Sequence, residues 1–299
     1  MRLLTRCDLD GLTCATLIGL NEHVDEIRLT HPQEIANGKL EVGKDDILAN
    51  LPFRPGCGLW FDHHLHTAAP PPPSGYRGAF GQAPSAARLV YEYYGGLTTL
   101  EGFEDLVKET DRLDSADLTL DDILDPQGYI QLGLSIDARS GLRDAAEYFM
   151  QILDLLRRKT PIAEILAHPD VREHCRRLEY EDEALHTALM THSRLDGNVI
   201  FTDFRSLDTV PVGNRFLVFA LFPQGNVEAR AQHREGHRRP MLTLGASIVN
   251  RTCRTNLGEL AARFGGGGHR GAASIELTCD EDDRISRVVK ELRENGVSA

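Results

Sequence analysis

Apolar residues in the first part of the chain come in short runs, each closed by a polar turn. Residues 1–5 (MRLLT) form one run, followed by a turn and then by apolar positions at helical spacing over 12–20. The pattern predicts strand, loop and helix. Residues 26–29 predict a second strand, and 46–51 (DILANL) and 58–61 (GLWF) two more, broken by Pro52, Pro55 and Gly56. Residues 70–73 are four prolines in a rigid loop. From Ala83 the period becomes helical (APSAARLVYEYY), with Ser85 as the cap. Helical patterns dominate to about residue 192, including 145–158 and a charged stretch over 176–191 that reads as an interdomain helix. After Gly197 the texture changes to β-like runs: NVIFTDF, FLVFALF, VEARAQH and LTLGASIV. A helix over 256–263, a glycine run at 265–268 and a strand over 273–277 follow.

The expected fold class is therefore α/β: an N-terminal parallel-sheet domain over 1–190 and a smaller α+β domain over 191–299. The length of 299 residues suits two domains, and 41% hydrophobic residues can bury a core for each. The six cysteines are scattered without a Cys-x-x-Cys pair, which points away from zinc ribbons and disulfide scaffolds. With no signal peptide and no run of ~20 apolar residues, a cytoplasmic protein without membrane contact is expected. The net charge of −12 opposes duplex DNA as a partner, because such binding is phosphate neutralisation by Lys and Arg. A small anion remains open if local cations reverse the field in one cleft. The oligomeric state is left open, a homodimer included.

Candidate chemistry sits directly after predicted strands, where open α/β sheets bind ligands. Asp8 and Asp10 stand two apart in Arg-Cys-Asp-Leu-Asp-Gly. In extended backbone both would face one cavity, where they repel unless a cation lies between them. A capping role for one of them is the equal alternative. Asp62, His63 and His64 end the GLWF strand, adding two imidazoles and a carboxylate that can fix a tautomer. In the acidic run 109–117, Asp111 is assigned as the inward member, with Asp114 as its alternative. Carboxylates with imidazole and no thiolate suit manganese or magnesium, manganese better because of the histidine. Gly265 to Gly268 expose backbone N–H groups that can cradle phosphate, with donors from His269 and Arg270. Arg251 is a further candidate phosphate contact, and the basic cluster 233–239 stays unassigned.

These motifs resemble those of the DHH phosphoesterase superfamily, which includes RecJ-type nucleases, oligoribonuclease-like nucleoside-bisphosphate phosphatases and family II inorganic pyrophosphatases. Asp62-His63-His64 matches its signature, Asp8-x-Asp10-Gly11 its first motif, and Gly265 to His269 the glycine motif of its associated C-terminal domain. The combination is most similar to exopolyphosphatase-like members. The resemblance implies that Asp8, Asp10, His63 and Asp111 ligate metal, that Asp62 orients His63, and that His64 reaches the substrate phosphate. It implies that the substrate lies between the domains, held by the glycine loop, with Gly266, Gly267 and Gly268, and by His269. Two departures stand out. Arg6 occupies a position where the family has a His, and Asn50 aligns where it has a bridging Asp.

The expected activity is metal-dependent hydrolysis, with one or two manganese or magnesium ions activating water and neutralising charge on the phosphoryl oxygens. Candidate substrates are short oligonucleotides, nucleoside bisphosphates, cyclic dinucleotides and polyphosphate. The rival reading is a phosphate-binding protein that has lost turnover, favoured by Arg6 and Asn50. A long-strand exonuclease is disfavoured by the acidic charge.

Overall fold

The computed structural model describes residues 1–64, 75–136, 142–233, 239–278 and 282–295. The proline loop at 70–73, most of the basic cluster at 233–239 and Cys279 lie outside the described residues. The chain divides into two compact units, Met1–Asp117 with Pro126–Arg177, and Leu118–Asp125 with Leu178–Ala299.

In chain order the elements are β1 (Arg2–Thr5), α1 (Leu9–Gly19), β2 (Glu26–Leu29), α2 (Pro32–Ala36), β3 (Asp46–Ala49), β4 (Leu59–Asp62) and β5 (Gly78–Phe80). The helices α3 (Ala86–Tyr93), α4 (Glu104–Asp114), α5 (Leu120–Leu124), α6 (Gly128–Ser135), α7 (Leu142–Arg157), α8 (Ile162–Ala167) and α9 (Pro169–His192) follow. The division between the units falls inside α9 and assigns the short α5 to the second unit. A boundary within a continuous helix leaves no linker composition to read, which is why the expected boundary near 190 differs from it.

The first unit holds a five-stranded, all-parallel sheet in the order β2-β1-β3-β4-β5. Its central strands are buried on both faces: Leu3, Leu4, Ile47, Leu48, Leu59 and Phe61 are fully inaccessible. That is why they read as continuous apolar runs and not as alternating ones. The consequence for function is directional. All strands point the same way, so Arg6 to Asp8, Asn50, and Asp62 to His64 emerge at one carboxyl edge, from the three adjacent strands β1, β3 and β4.

The second unit carries β6 (Ser193–Asp196), β7 (Val199–Asp203), α10 (Leu217–Leu221), β8 (Val227–His233), β9 (Pro240–Ala246), α11 (Leu257–Arg263), β10 (Gly267–His269), β11 (Ala272–Glu276) and α12 (Asp282–Asn295). Its six-stranded mixed sheet has the order β10-β11-β9-β8-β7-β6, with β7–β8 the parallel pair. Alternation is clear here: Val227, Ala229 and Ala231 of β8 face a core closed by α11 and α12. FLVFALF, expected as a strand, is a correction: Leu217–Leu221 is helical. A continuous apolar run carries no period, and packing decides between helix and strand. LTLGASIV ends its strand at Ala246, so Arg251 lies in a turn beyond the sheet, donating from Nε to the carbonyl of Ile248 at 2.9 Å.

Candidate metal centre

Helix α1 begins the site. Asp8 is extended, with φ −150°, and caps the helix by accepting from Gly11 N at 2.8 Å. Asp10 is already helical, which corrects the expectation that both carboxylates ride one extended segment. The chain must pass so closely over α1 that a Cβ at position 11 would lie 2.1 Å from the Arg6 carbonyl oxygen. Glycine is required there by close approach, and the turn precedes it.

Asp10 is buried at 2% exposure. Its carboxylate sits on the N-terminus of α3, accepting from Ala86 N at 3.0 Å and Ala87 N at 2.7 Å. Two N–H groups of a helix start favour a carboxylate and hold it in one orientation. Ser85 caps that helix from Oγ, accepting from Arg88 N at 3.0 Å.

His63 follows β4. Its Nδ1 lies 3.0 Å from the Ala83 carbonyl oxygen, so Nδ1 carries the proton and donates it there. A backbone carbonyl accepts and never donates, so the tautomer is set and the Nε2 lone pair faces the site. Nε2 lies 3.0 Å from Asp114 Oδ2 and 3.8 Å from Asp10 Oδ2. The three atoms fall within 4.8 Å of one another. His63 Nε2 is buried yet has no well-aligned hydrogen bond, even to the nearby Asp114. Two carboxylate oxygens and one imidazole lone pair converge as acceptors, and a divalent cation is what such a set accommodates.

Electrostatics agree. Burial, then the charges of Asp114 and Asp8, push the Asp10 carboxyl well above its ordinary range. Burial opposes a proton on His63, but Asp114 and then Asp10 outweigh it and raise the imidazole to about 9. Asp114 is lowered in spite of its burial, by His63 first and then by Arg6 and His64. The cluster thus demands positive charge, which a bound cation supplies in place of a proton.

Asp114 is the last residue of α4. Asp111, the expected inward member, lies one turn earlier and is engaged elsewhere. It accepts from Ser85 Oγ at 2.6 Å and from the Arg88 guanidinium, Nε at 2.9 Å. Asp62 also differs from its expected partnership: its Oδ1 takes His64 Nδ1 at 2.7 Å, while Ala83 holds His63. Arg6 Nη1 lies 3.4 Å from His64 Nε2, so His64 donates to Asp62 and accepts from Arg6. Asn50 is fully buried in the left-handed region, φ +57°, a conformation Asn tolerates. Its Nδ2 donates to Asp8 Oδ1 at 3.2 Å.

The glycine motif belongs to the second unit. Gly267–His269 is not a loop but strand β10, paired antiparallel with Ala272 to Ser274. Gly268 has φ +153°, and a Cβ there would lie 2.4 Å from the Ala272 carbonyl oxygen. Its glycine is therefore explained by close pairing, whereas at Gly267 a Cβ would meet nothing within 4 Å. Gly267, Gly268 and His269 are exposed, and Gly271 N donates to His269 Nδ1 at 3.2 Å. Gly266 packs against the Ser274 carbonyl oxygen, and Arg270 follows the strand, exposed.

No family model matches the sequence, and no curated protein matches it significantly. Solved structures do. PggH, a pGpG-specific phosphodiesterase from Vibrio cholerae, is 32% identical with a TM-score of 0.84, over 99% of both chains. The chain belongs to the DHH phosphoesterase family. An exopolyphosphatase-related protein from Bacteroides fragilis matches over 98% of this chain and 91% of its own, with a TM-score of 0.56 at 13% identity. RecJ with Mn2+ from Thermus thermophilus has a TM-score of 0.59 at 14% identity, over 99% of this chain and 52% of that one. The last two establish shared fold and no more. This DHH phosphoesterase is a metal-dependent hydrolase of small phosphate compounds, and its Asp10–His63–Asp114 cluster fits a divalent ion.

Among the functional groups, sequence reasoning missed the Ala83 carbonyl and the Ala86 and Ala87 N–H groups. Backbone groups carry no residue signature. The Ser85 cap was the one local sign that a helix N-terminus would be available.

Proposed function

We propose that this DHH phosphoesterase is a manganese-dependent phosphodiesterase that cleaves the short linear dinucleotide pGpG. The observation that carries the reading is the end-to-end correspondence with a pGpG-specific phosphodiesterase at 32% identity. The acceptor trio at the carboxyl edge of the parallel sheet supports it, because two carboxylates and an imidazole suit manganese. A divalent cation on that trio supplies Lewis acidity toward water and the phosphoryl oxygens.

The chain's own groups do the rest. Ala83 fixes the His63 tautomer, the start of α3 orients Asp10, and Asp62 aims the His64 ring. Hydrolysis adds one water to the internal diester. A P–O bond forms to the water oxygen, the P–O bond to the ribose 3′ oxygen breaks, and the water's proton ends on that oxygen. Two GMP leave. His64, and Gly266, Gly267, Gly268, His269, Arg270 and Arg251 of the second unit, belong to the same proposal as phosphate-binding groups.

Purified protein with manganese should convert pGpG to GMP, followed by chromatography. Asp10→Ala and His63→Ala should each lose at least about a thousandfold in kcat/KM with circular dichroism unchanged. Comparable turnover in either variant would remove the metal-centre reading. Inert pGpG beside active hydrolysis of polyphosphate would move the substrate and leave the centre. Binding of pGpG with no GMP formed would favour the rival reading, a binding protein without turnover.

A further inference from the structure

Arg6 leaves β1 and enters the site from the same edge as the acceptor trio. Its Nε lies 3.0 Å from Asp8 Oδ2 and its Nη1 3.4 Å from His64 Nε2. Asp8 is meanwhile filled by donors. Gly11 N and Asn50 Nδ2 bond Oδ1 at 2.8 and 3.2 Å, and Arg6 takes Oδ2. A metal using Asp8 would have to displace a guanidinium tethered two residues away, which cannot shed its proton. Asn50 Oδ1 is buried without a hydrogen-bond partner, but as a neutral amide it draws a hard divalent ion weakly. The half-buried guanidinium keeps donors beyond those two contacts, in a planar array suited to a phosphate.

We propose that the centre takes a single divalent ion on Asp10, His63 and Asp114, and that Arg6, held by Asp8 and His64, is the fixed second positive charge that binds the substrate phosphate. The phosphate half rests on the proposed function; the metal half does not, because it is read without turnover. Asp8 then becomes a positioning residue for Arg6 and α1, not a ligand.

The test titrates chelator-stripped protein with manganese by calorimetry, beside metal content after dialysis. The parent should bind one tight equivalent. Asp8→Asn, which keeps the acceptor that caps α1, should retain that equivalent with affinity within about tenfold. Asp114→Asn should lose a hundredfold or more. Arg6→Gln should keep the metal but bind inorganic phosphate, the probe, at least tenfold more weakly in the manganese-loaded protein. Two tight equivalents in the parent, or loss of metal in a folded Asp8→Asn variant, would overturn the metal half. Equal phosphate affinity in Arg6→Gln and parent would overturn the role of Arg6. Absence of pGpG hydrolysis touches neither measurement and counts against the proposed function alone.

Discussion

Asp111 and Asp114 are three apart on one helix and so share a face, yet they meet different partners. Asp111 is neutralised by Arg88 and accepts a hydrogen bond from Ser85, while Asp114, one turn on, meets His63. Asp114 also sits at a helix C-terminus, where a carboxylate is disfavoured by the dipole. Cationic company offsets that cost, from His63 and Arg6 and from a metal when bound. The two carboxylates therefore separate cleanly by experiment. Asp111→Asn should keep manganese affinity within about tenfold while lowering stability by about 1–3 kcal/mol, the cost of weakening a half-buried charged hydrogen bond. Asp114→Asn should do the reverse, with a near-parental melting temperature and metal affinity down a hundredfold. Calorimetry and thermal melts on the same samples check both, and the opposite pairing would hand the ligand role to Asp111.

At the scale of elements, the N-terminus of α3 acts as a clamp on Asp10. Ser85 caps the helix, Asp111 anchors Ser85, and the first two helical N–H groups grip the carboxylate. Removing the cap should loosen everything downstream of it. Ser85→Ala should cost about 1 kcal/mol, seen as a fall in melting temperature of about 2–4 °C for a unit of this size. It should also weaken manganese binding several-fold, because Asp10 gains freedom. Saturating manganese should recover most of the lost rate. A variant that melts earlier but binds metal as tightly as the parent would mean that the cap serves stability alone.

For the molecule as a whole, an acidic chain of net charge −12 hydrolyses an anion, so positive charge must be concentrated where phosphate binds. Arg6 and the metal do this in the first unit. His269 and Arg270, exposed beside the glycine strand, are the proposed contacts in the second. A residue that binds ground state and transition state alike changes KM and leaves kcat. His269→Ala should then raise KM for pGpG about tenfold or more with kcat within about twofold. Loss of kcat at constant KM would place His269 in the chemistry instead.

Order along the chain carried a large part of this. Short apolar runs closed by polar turns mark β1, β3 and β4, and in a parallel sheet the residues after such runs must share an edge. The emergence of Asp8, Asn50, Asp62, His63 and His64 at one edge was legible for that reason, as was the α/β fold class. The second strip of legibility was Ser85, because a capping side chain announces itself locally. Tertiary structure decided what local patterns leave degenerate. FLVFALF has no period and became a helix. The end of the glycine run, Gly267–His269, became a strand by pairing with β11, which passes close enough at Gly266 and Gly268 to exclude a Cβ. Asp111 and Asp114 occupy one helical stripe, and only the positions of Arg88 and His63 tell them apart. Asp62 was bound to His64 and not to His63 because the Ala83 carbonyl reached His63 first. Each of these choices depends on a partner distant in sequence, which no window along the chain contains.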